Sequence, residues 1–183
     1  MNRRTTPRLL AVPTVVVAVV LSLTACGDDG SGGDAADATS QSCEDRPATA
    51  DAPGDVSTDL AEKPEVPATD AAPPCGLQVS DVVVGDGPEA VVGTSVAVKY
   101  VGAFYGSGEE FDSSWSRGEG ETLPVTVGAG QVIPGFEQAI DGMQVGGRRM
   151  VTIPSDLGYG PTGQGPIPGD ATLVFVLDLV EVA

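Results

Sequence analysis

The sequence has no histidine, few aromatic residues and few cations. Of its 183 residues, none is His, 4% are aromatic, and nine Lys and Arg face 26 Asp and Glu, for a net charge of −17. Without His, general-base catalysis by imidazole, the usual Ser/His/Asp triad and zinc sites with His ligands are excluded. The excess of negative charge argues against binding to nucleic acid and against electrostatic attraction to an anionic membrane.

The N-terminal 25 residues have the pattern of a targeting signal. Arg3, Arg4 and Arg8 precede the apolar run Leu9–Ser22, which is short for a membrane span. The run ends in the residues LTAC at 23–26, which resemble the bacterial lipobox. That resemblance implies removal of residues 1–25, acylation of Cys26, with palmitate among the chains, and an anchor on the extracytoplasmic face of the cell membrane. An uncleaved anchor with an incidental Cys, or a twin-arginine signal, are the alternatives.

Residues 26–76 differ in composition from the rest of the chain. They are rich in Ala, Asp, Gly, Ser, Thr and Pro and contain no aromatic residue. Such a segment buries little apolar surface, so we expect a disordered, acidic tether. If Cys26 carries lipid, the two remaining cysteines, Cys43 and Cys75, stand in an oxidising compartment, where we expect them to form a disulfide that shortens the tether.

Residues 77–183 have the alternating apolar pattern of a folded domain with short strands. Strands are predicted at 77–84, 96–101, 111–112, 125–127, 148–153 and 172–182. One helix is predicted from Phe136, because Phe136, Ala139, Ile140 and Met143 recur at i, i+3, i+4 and i+7. The predicted fold class is therefore α+β, with an antiparallel, twisted β-sheet wrapped around one short α-helix.

Six short motifs of this domain occur in an order that is typical of one family. They read KYVG at 99–102, FDSS at 111–114, VIPGF at 132–136, GGRR at 146–149, LGYG at 157–160, and IP at 167–168 followed by ATLVF at 171–175. This pattern closely resembles the FKBP-type peptidyl-prolyl cis-trans isomerases, the immunophilins that bind tacrolimus and rapamycin. The resemblance covers essentially all of residues 77–183 and none of the tether.

The resemblance implies an isomerase that needs neither a cofactor nor a metal, and it assigns four residues to catalysis. Asp112 is placed at the pocket edge, facing the substrate carbonyl, and Ile133 is expected to donate its backbone N–H to a substrate carbonyl. Tyr159 is expected to donate its hydroxyl to the substrate backbone. Phe136 forms the pocket floor, where the family usually has Trp.

The resemblance also assigns six residues to the walls and rim of the substrate pocket. These are Tyr100, Phe111, Leu123, Val132, Ile167 and Phe175. Two departures from the family affect the rim: Leu123 stands where an aromatic residue is common, and the loop 161–168 is one residue shorter than usual. We expect these departures to change sequence preference and macrolide affinity more than catalysis.

Two functions of different classes fit these residues. The first is a lipid-anchored enzyme, a monomer, that isomerises proline-containing polypeptides and binds tacrolimus- or rapamycin-like macrolides. It accelerates the folding of secreted or surface proteins at the outer face of the membrane. The second is a membrane-anchored binding module or chaperone that holds proline-containing segments without turnover. The presence of both Asp112 and Tyr159 favours the enzyme.

Overall fold

A computed structural model describes residues 43–118 and 120–183, which belong to one compact unit. The predicted leader, the lipidation residue Cys26 and the first part of the predicted tether lie outside the described residues. In the described part of the chain, no helix combines the length and the apolar content needed to cross a bilayer.

Within the described residues, six antiparallel strands form one sheet around a single α-helix, so the predicted fold class is confirmed. The strands are β1 (Gln78–Val83), β2 (Ser95–Phe104), β3 (Glu110–Ser113), β4 (Leu123–Thr126), β5 (Arg148–Ile153) and β6 (Leu173–Val182). Their order is β1-β5-β6-β2-β3, and β4 pairs with the first half of β2, on the same edge as β3. β3 and β4 thus share one edge of the sheet, each beside a different half of β2.

The helix α1 (Pro134–Ile140) begins two residues before the predicted start and ends three residues before Met143. Pro134 takes the first helical position, which suits its fixed φ angle and missing N–H. The predicted apolar face is nevertheless the buried one, because Phe136, Ala139, Ile140 and Met143 are all at most 3% exposed. The helix therefore lies against the concave face of the sheet through the residues that the pattern indicated.

Strand β2 is longer than predicted because Gly102 does not end it. A Cβ atom at Gly102 would lie 2.7 Å from the ring of Phe175 and 2.8 Å from that of Phe111, so only Gly fits between these rings. The strand continues to Phe104, which makes it as long as β6. Three single 3₁₀ turns were also not predicted, at Trp115–Arg117, Ser155–Leu157 and Gly160–Thr162.

The convex face of the sheet, which points away from α1, is also buried. Leu173, Phe175, Leu177 and Leu179 of β6 belong to the core beneath the helix. Successive side chains of a strand point to opposite faces, so the alternate residues of β6 point outward. Yet these residues (Val174, Val176 and Asp178) and their neighbours in β2 (Val101 and Ala103) are at most 5% exposed. Another part of the chain must cover them.

That cover is formed by residues 43–76, which we call the covering segment. At the edge of the sheet, its backbone pairs with Val79 of β1, which accepts from Ala50 N–H and donates to Ala48. At the opposite edge, Thr69 N–H donates to Gly106 O at the turn after β2. Its apolar residues Val56, Pro64, Pro73 and Pro74 are buried. For residues 43–76, the expectation of a disordered tether is therefore wrong.

Arg148 of β5 fixes the covering segment to the sheet. Its side chain is completely buried and pairs with Asp178 through two hydrogen bonds of 2.6 and 2.7 Å. Its remaining N–H groups donate to three backbone carbonyls of the segment, those of Ser57 (2.7 Å), Asp59 (3.1 Å) and Glu62 (3.0 Å). A buried charge is tolerated only when it is paired and hydrogen-bonded, and the segment supplies the acceptors that Asp178 alone cannot.

Cys43 and Cys75 form a disulfide that joins the two ends of the covering segment. Their Cα atoms lie 4.9 Å apart, and the backbones beside the bond also pair, with Glu44 N–H donating to Pro73 O and Cys75 N–H donating to Glu44 O. The pair is the one predicted from the cysteine count. In the structure, however, the bond closes a segment that packs on the domain, so its effect is on the stability of the fold.

We predict that Arg148→Ala strongly destabilises the protein. The substitution removes the guanidinium that donates to Asp178 and to three backbone carbonyls. The Asp178 carboxylate is then buried without a partner, at a cost of about 3–5 kcal/mol. Urea denaturation of the full chain measures the loss. Lys63→Ala is the matched control, because Lys63 belongs to a solvent-exposed ion pair with Glu110, worth at most about 1 kcal/mol. Equal effects of the two substitutions would contradict the role given to Arg148.

We also predict that reduction of the Cys43–Cys75 bond lowers the free energy of unfolding. The two residues are 32 positions apart, and closing a loop of that length in the unfolded chain corresponds to about 3–4 kcal/mol. Denaturation curves of the full chain with and without reductant check this value. The double substitution of both cysteines by Ser should match the reduced protein, and an unchanged midpoint would contradict the stabilising role given to this bond.

Candidate functional site

A cavity of about 550 Å³ opens between the concave face of the sheet and the start of α1. Three parts of the chain surround it: strands β2, β3 and β6, the segment before α1, and the loop after β5. The lining residues are Tyr100, Phe111, Asp112, Leu123, Gly130, Gln131, Val132, Ile133, Phe136, Gly158, Tyr159, Gly163, Gln164 and Phe175. The cavity thus combines an aromatic interior with polar groups near its mouth.

Four aromatic rings form the interior of the cavity. Phe136 of α1 meets Phe175 of β6 edge-to-face at 5.3 Å between ring centroids, and it meets Tyr100 of β2 in the same geometry at 5.9 Å. Phe111 of β3 packs against Phe175 at 5.6 Å, again edge-to-face. Such perpendicular contacts are favourable beyond the area that they bury, and they fix the orientation of each ring. The result is a rigid apolar surface that faces the cavity.

Asp112, at the edge of the cavity, is held by three donors. The Tyr100 hydroxyl donates to Oδ2, while Arg117 Nη1 (2.9 Å) and Ser113 N–H (2.8 Å) donate to Oδ1. Arg117 also donates to the Tyr100 hydroxyl at 2.8 Å, so Tyr100, Asp112 and Arg117 form a closed triangle. Asp112 therefore has a fixed orientation, with its charge balanced by Arg117, in keeping with an electrostatic role at the rim.

The triangle affects the pKa of Tyr100. Burial raises the pKa of this phenol; the hydrogen bond from Arg117 opposes the rise, and the carboxylate of Asp112 adds to it. The net direction is upward, so Tyr100 remains a neutral donor to Asp112 at physiological pH.

The 3₁₀ turn that carries Arg117 is fixed to β2, because Ser114 Oγ accepts the Tyr100 N–H and Ser113 Oγ donates to the Tyr100 carbonyl.

The segment before α1 presents two free N–H groups beside the cavity. Gly130, Gln131, Val132 and Ile133 line the cavity in succession. The N–H groups of Gly130 and Gln131 are bound by a side chain, whereas those of Val132 and Ile133 have no acceptor among the described residues. A free backbone donor at the edge of an apolar cavity is suited to bind a carbonyl of a ligand. Ile133 thus brings an unbonded N–H group to the lining of the cavity.

Tyr159 lies in the loop after β5, across the cavity mouth. Burial raises the pKa of Tyr159, and the charge of Asp112 raises it further. Its hydroxyl makes no hydrogen bond with the described residues, so it is available to a ligand as a neutral donor. Gln164 in the same loop also lines the cavity, and the loop is closed by paired bonds between the backbones of Gln164 and Ile167.

Of the ten predicted pocket residues, nine line the cavity and Ile167 does not. Ile167 is 7% exposed and packs in the hydrophobic core, so it supports the loop after β5 from beneath instead of forming the far wall. Sequence reasoning missed Arg117 and Gln131. The pairing of Arg117 with Asp112, five positions earlier, depends on a 3₁₀ turn that carried no helical pattern.

No group of three or more His, Cys, Asp or Glu side chains within residues 43–118 and 120–183 is arranged to hold a metal ion. The groups that line the cavity include aromatic rings, backbone N–H groups, two phenols and one paired carboxylate.

Comparison with known proteins gives a consistent picture. Residues 87–180 match the family described as FKBP-type peptidyl-prolyl cis-trans isomerase. The chain is 50% identical over 124 residues to an FK506-binding protein of Streptomyces anulatus, covering 66% of this chain and 98% of that protein. It is 44% identical over 120 residues to a probable FK506-binding protein of Corynebacterium glutamicum, with the same two coverages.

Two solved structures are similar in fold. The crystal structure of AtFKBP13 has a TM-score of 0.55 at 38% identity and covers 60% of this chain and 95% of that chain. A peptidyl-prolyl cis-trans isomerase from Pseudomonas syringae has a TM-score of 0.51 at 29% identity and covers 58% of this chain and 75% of that chain.

We predict that Tyr159 ionises above the ordinary phenol value of about 10. Because burial raises its pKa in the folded state, this residue contributes stability below the unfolded pKa, and the contribution is lost as pH rises through the folded pKa. Ultraviolet titration of tyrosinate in the full chain, beside Tyr159→Phe, checks this. Tyr159→Phe should remove a tyrosinate ionisation that occurs at a pH above the ordinary phenol pKa. If the ionisation that disappears occurs instead at the ordinary phenol pKa, the argument from burial is contradicted.

Proposed function

This chain belongs to the FKBP-type peptidyl-prolyl cis-trans isomerase family, and from that premise we propose how its cavity accelerates rotation about X–Pro bonds. The barrier of about 18–20 kcal/mol arises because rotation breaks the resonance of the amide. The planar amide is more charge-separated than the twisted one and is therefore favoured by water. An apolar cavity favours the twisted form, and a ten-thousandfold acceleration needs only about 5.5 kcal/mol of such differential binding.

The aromatic interior carries this proposal. The prolyl ring lies on Phe136 and is enclosed by Tyr100, Phe111 and Phe175, whose mutual edge-to-face contacts hold the walls in place before substrate arrives. A preformed, water-excluding surface means that little free energy is spent on ordering the site when the proline enters. Phe in place of the family's Trp keeps the aromatic floor but removes an N–H group.

Three polar groups orient the peptide around that ring. Ile133 N–H and the Tyr159 hydroxyl, both without acceptors among the described residues, donate to backbone carbonyls of the substrate. The carboxylate of Asp112 faces the carbonyl that precedes the proline. As the bond twists, that carbonyl turns away from its planar position and from water, so fixed groups at the rim act on the transition state more than on the planar ground state.

Turnover by the full chain tests the proposal. We expect clear acceleration of cis-trans exchange in short X–Pro peptides, measured by NMR exchange spectroscopy. Asp112→Ala should lower kcat/KM about tenfold, since it removes one charged, hydrogen-bonded group. Phe136→Ala should cause a larger loss, with Phe136→Leu as the variant that better retains the fold.

Asp86→Ala, in an exposed turn outside the cavity lining, is the matched control and should leave turnover unchanged. A folded protein that binds the peptide with no acceleration, whatever residue precedes proline, would overturn the enzyme mechanism. That result would instead support a module that holds proline-containing segments.

Binding of tacrolimus- or rapamycin-like macrolides to the same cavity is part of the proposal. The names of the two bacterial relatives describe FK506 binding, and the four aromatic rings offer such a ligand an apolar surface. Competition between the macrolide and an X–Pro peptide in the exchange assay is the direct check, because a shared site requires that one displace the other.

We further propose that the protein works as a monomer, lipid-anchored through Cys26 on the extracytoplasmic face of the cell membrane, on secreted or surface polypeptides. The lipobox-like residues 23–26 support this location, and so does the Cys43–Cys75 disulfide, since such bonds persist in oxidising compartments. Labelling with radioactive palmitate in a bacterial host should mark the wild type and not Cys26→Ser, which should leave the membrane fraction. Label retained by Cys26→Ser would refute the anchor.

A further inference from the structure

We infer that Glu137 is a positioning residue, which fixes the direction of the Ile133 N–H group for the substrate; the inference rests on the proposed function. Glu137 lies in the first turn of α1, and its side chain turns back toward the preceding segment. Its Oε1 atom accepts from Gly130 N–H at 2.7 Å and from Gln131 N–H at 3.3 Å. No other group of the described chain accepts from these two donors.

Glu137 also bonds the other end of the same segment. Its own backbone N–H donates to the carbonyl of Ile133 at 3.2 Å, beside the bond from Phe136 N–H at 3.0 Å. This backbone bond is the first i→i−4 bond of α1 and is independent of the side chain, whereas the bonds to Gly130 and Gln131 need the carboxylate. The peptide units between these points have little freedom left, although none of them pairs with a strand.

The bonded and free N–H groups of the segment before α1 connect Glu137 to substrate binding. The four residues from Gly130 to Ile133 line the cavity in succession; the first two N–H groups point to Glu137, and the next two are free. If the first two N–H groups lost their shared acceptor, the segment could rotate and turn the Ile133 N–H away from the cavity. Misplacement of a binding group by about 1 Å can cost up to a hundredfold in rate.

A second side chain supports the turn from the strand side. Gln131 Oε1 accepts the N–H of Thr126, the last residue of β4, at 2.8 Å. The segment is thus tied to β4 by Gln131 and to α1 by Glu137. The Glu137 carboxylate binds the two N–H groups that directly precede the free donors of Val132 and Ile133, so we assign the positioning role to Glu137.

Two substitutions at Glu137 separate the loss of an acceptor from the loss of a charge. Glu137→Ala removes the acceptor of both N–H groups, and we expect kcat/KM of the full chain to fall about tenfold or more. Glu137→Gln keeps an acceptor oxygen with a weaker, uncharged bond, and we expect kcat/KM within about threefold of the wild type. Gln138→Ala is the matched control, since Gln138 is exposed on the same helix and makes no side-chain hydrogen bond with the described residues.

Amide hydrogen exchange, read by NMR, tests the positioning itself, whether or not the protein turns over substrate. We expect faster exchange at Gly130 and Gln131 in Glu137→Ala, near wild-type exchange in Glu137→Gln, and no change at the core of β6 in either. An absence of turnover in the wild type would contradict the proposed function but would leave the positioning inference open to test. The exchange result would still decide whether Glu137 holds the segment.

Four outcomes would overturn the inference. Three of them are unchanged exchange at Gly130 and Gln131 in Glu137→Ala, wild-type kcat/KM in that variant, and a Glu137→Gln variant as impaired as Glu137→Ala. Faster exchange throughout β6 would also overturn it, because Glu137 would then support the fold as a whole instead of one segment.

Discussion

The edge-to-face packing of Phe136 against Tyr100 and Phe175 is the contact on which the site depends. A helix of seven residues cannot persist alone in water, so α1 needs the sheet to hold it. Phe136 supplies that attachment, and the same ring forms the floor of the cavity. Because the helix is fixed at its first turn, the segment immediately before it is fixed too, together with the free N–H of Ile133. One aromatic cluster thus belongs to the core and also lines the cavity.

The convex face of the sheet adds a second constraint. Here the sheet buries both of its faces, one beneath α1 and the other beneath the covering segment, and Arg148 of β5 ties the covering segment to the sheet. The guanidinium is satisfied only when Asp178 and three carbonyls of the covering segment are in place together. Folding of the sheet and docking of residues 43–76 are therefore coupled, and the folded unit of this chain is larger than the region matched by the family.

The sequence predicted the parts of this structure that depend on local patterns. Alternation of apolar residues located all six strands, and the spacing from Phe136 to Met143 identified the buried face of the helix. The docking of the covering segment was not predicted because its composition is polar and proline-rich. Its docking relies on backbone carbonyls, which no side-chain pattern reveals. The roles of Arg117 and Glu137 were not predicted for a related reason, since turns of the chain bring their hydrogen-bond partners close. The residues assigned by family motifs line the cavity, except Ile167, whose motif position could not distinguish the cavity wall from the core beneath it.

Mapping of the binding site on the full chain by NMR tests the central claim most directly, namely that proline enters the cavity before α1. Titration with an X–Pro peptide should shift the amide signals of Ile133 and Tyr159 and the ring signals of Phe136. The signals of Val84 and Val92, exposed residues that do not line the cavity, should stay unchanged. Saturable shifts confined to those valines or to the covering segment, with none at Ile133, would contradict the account.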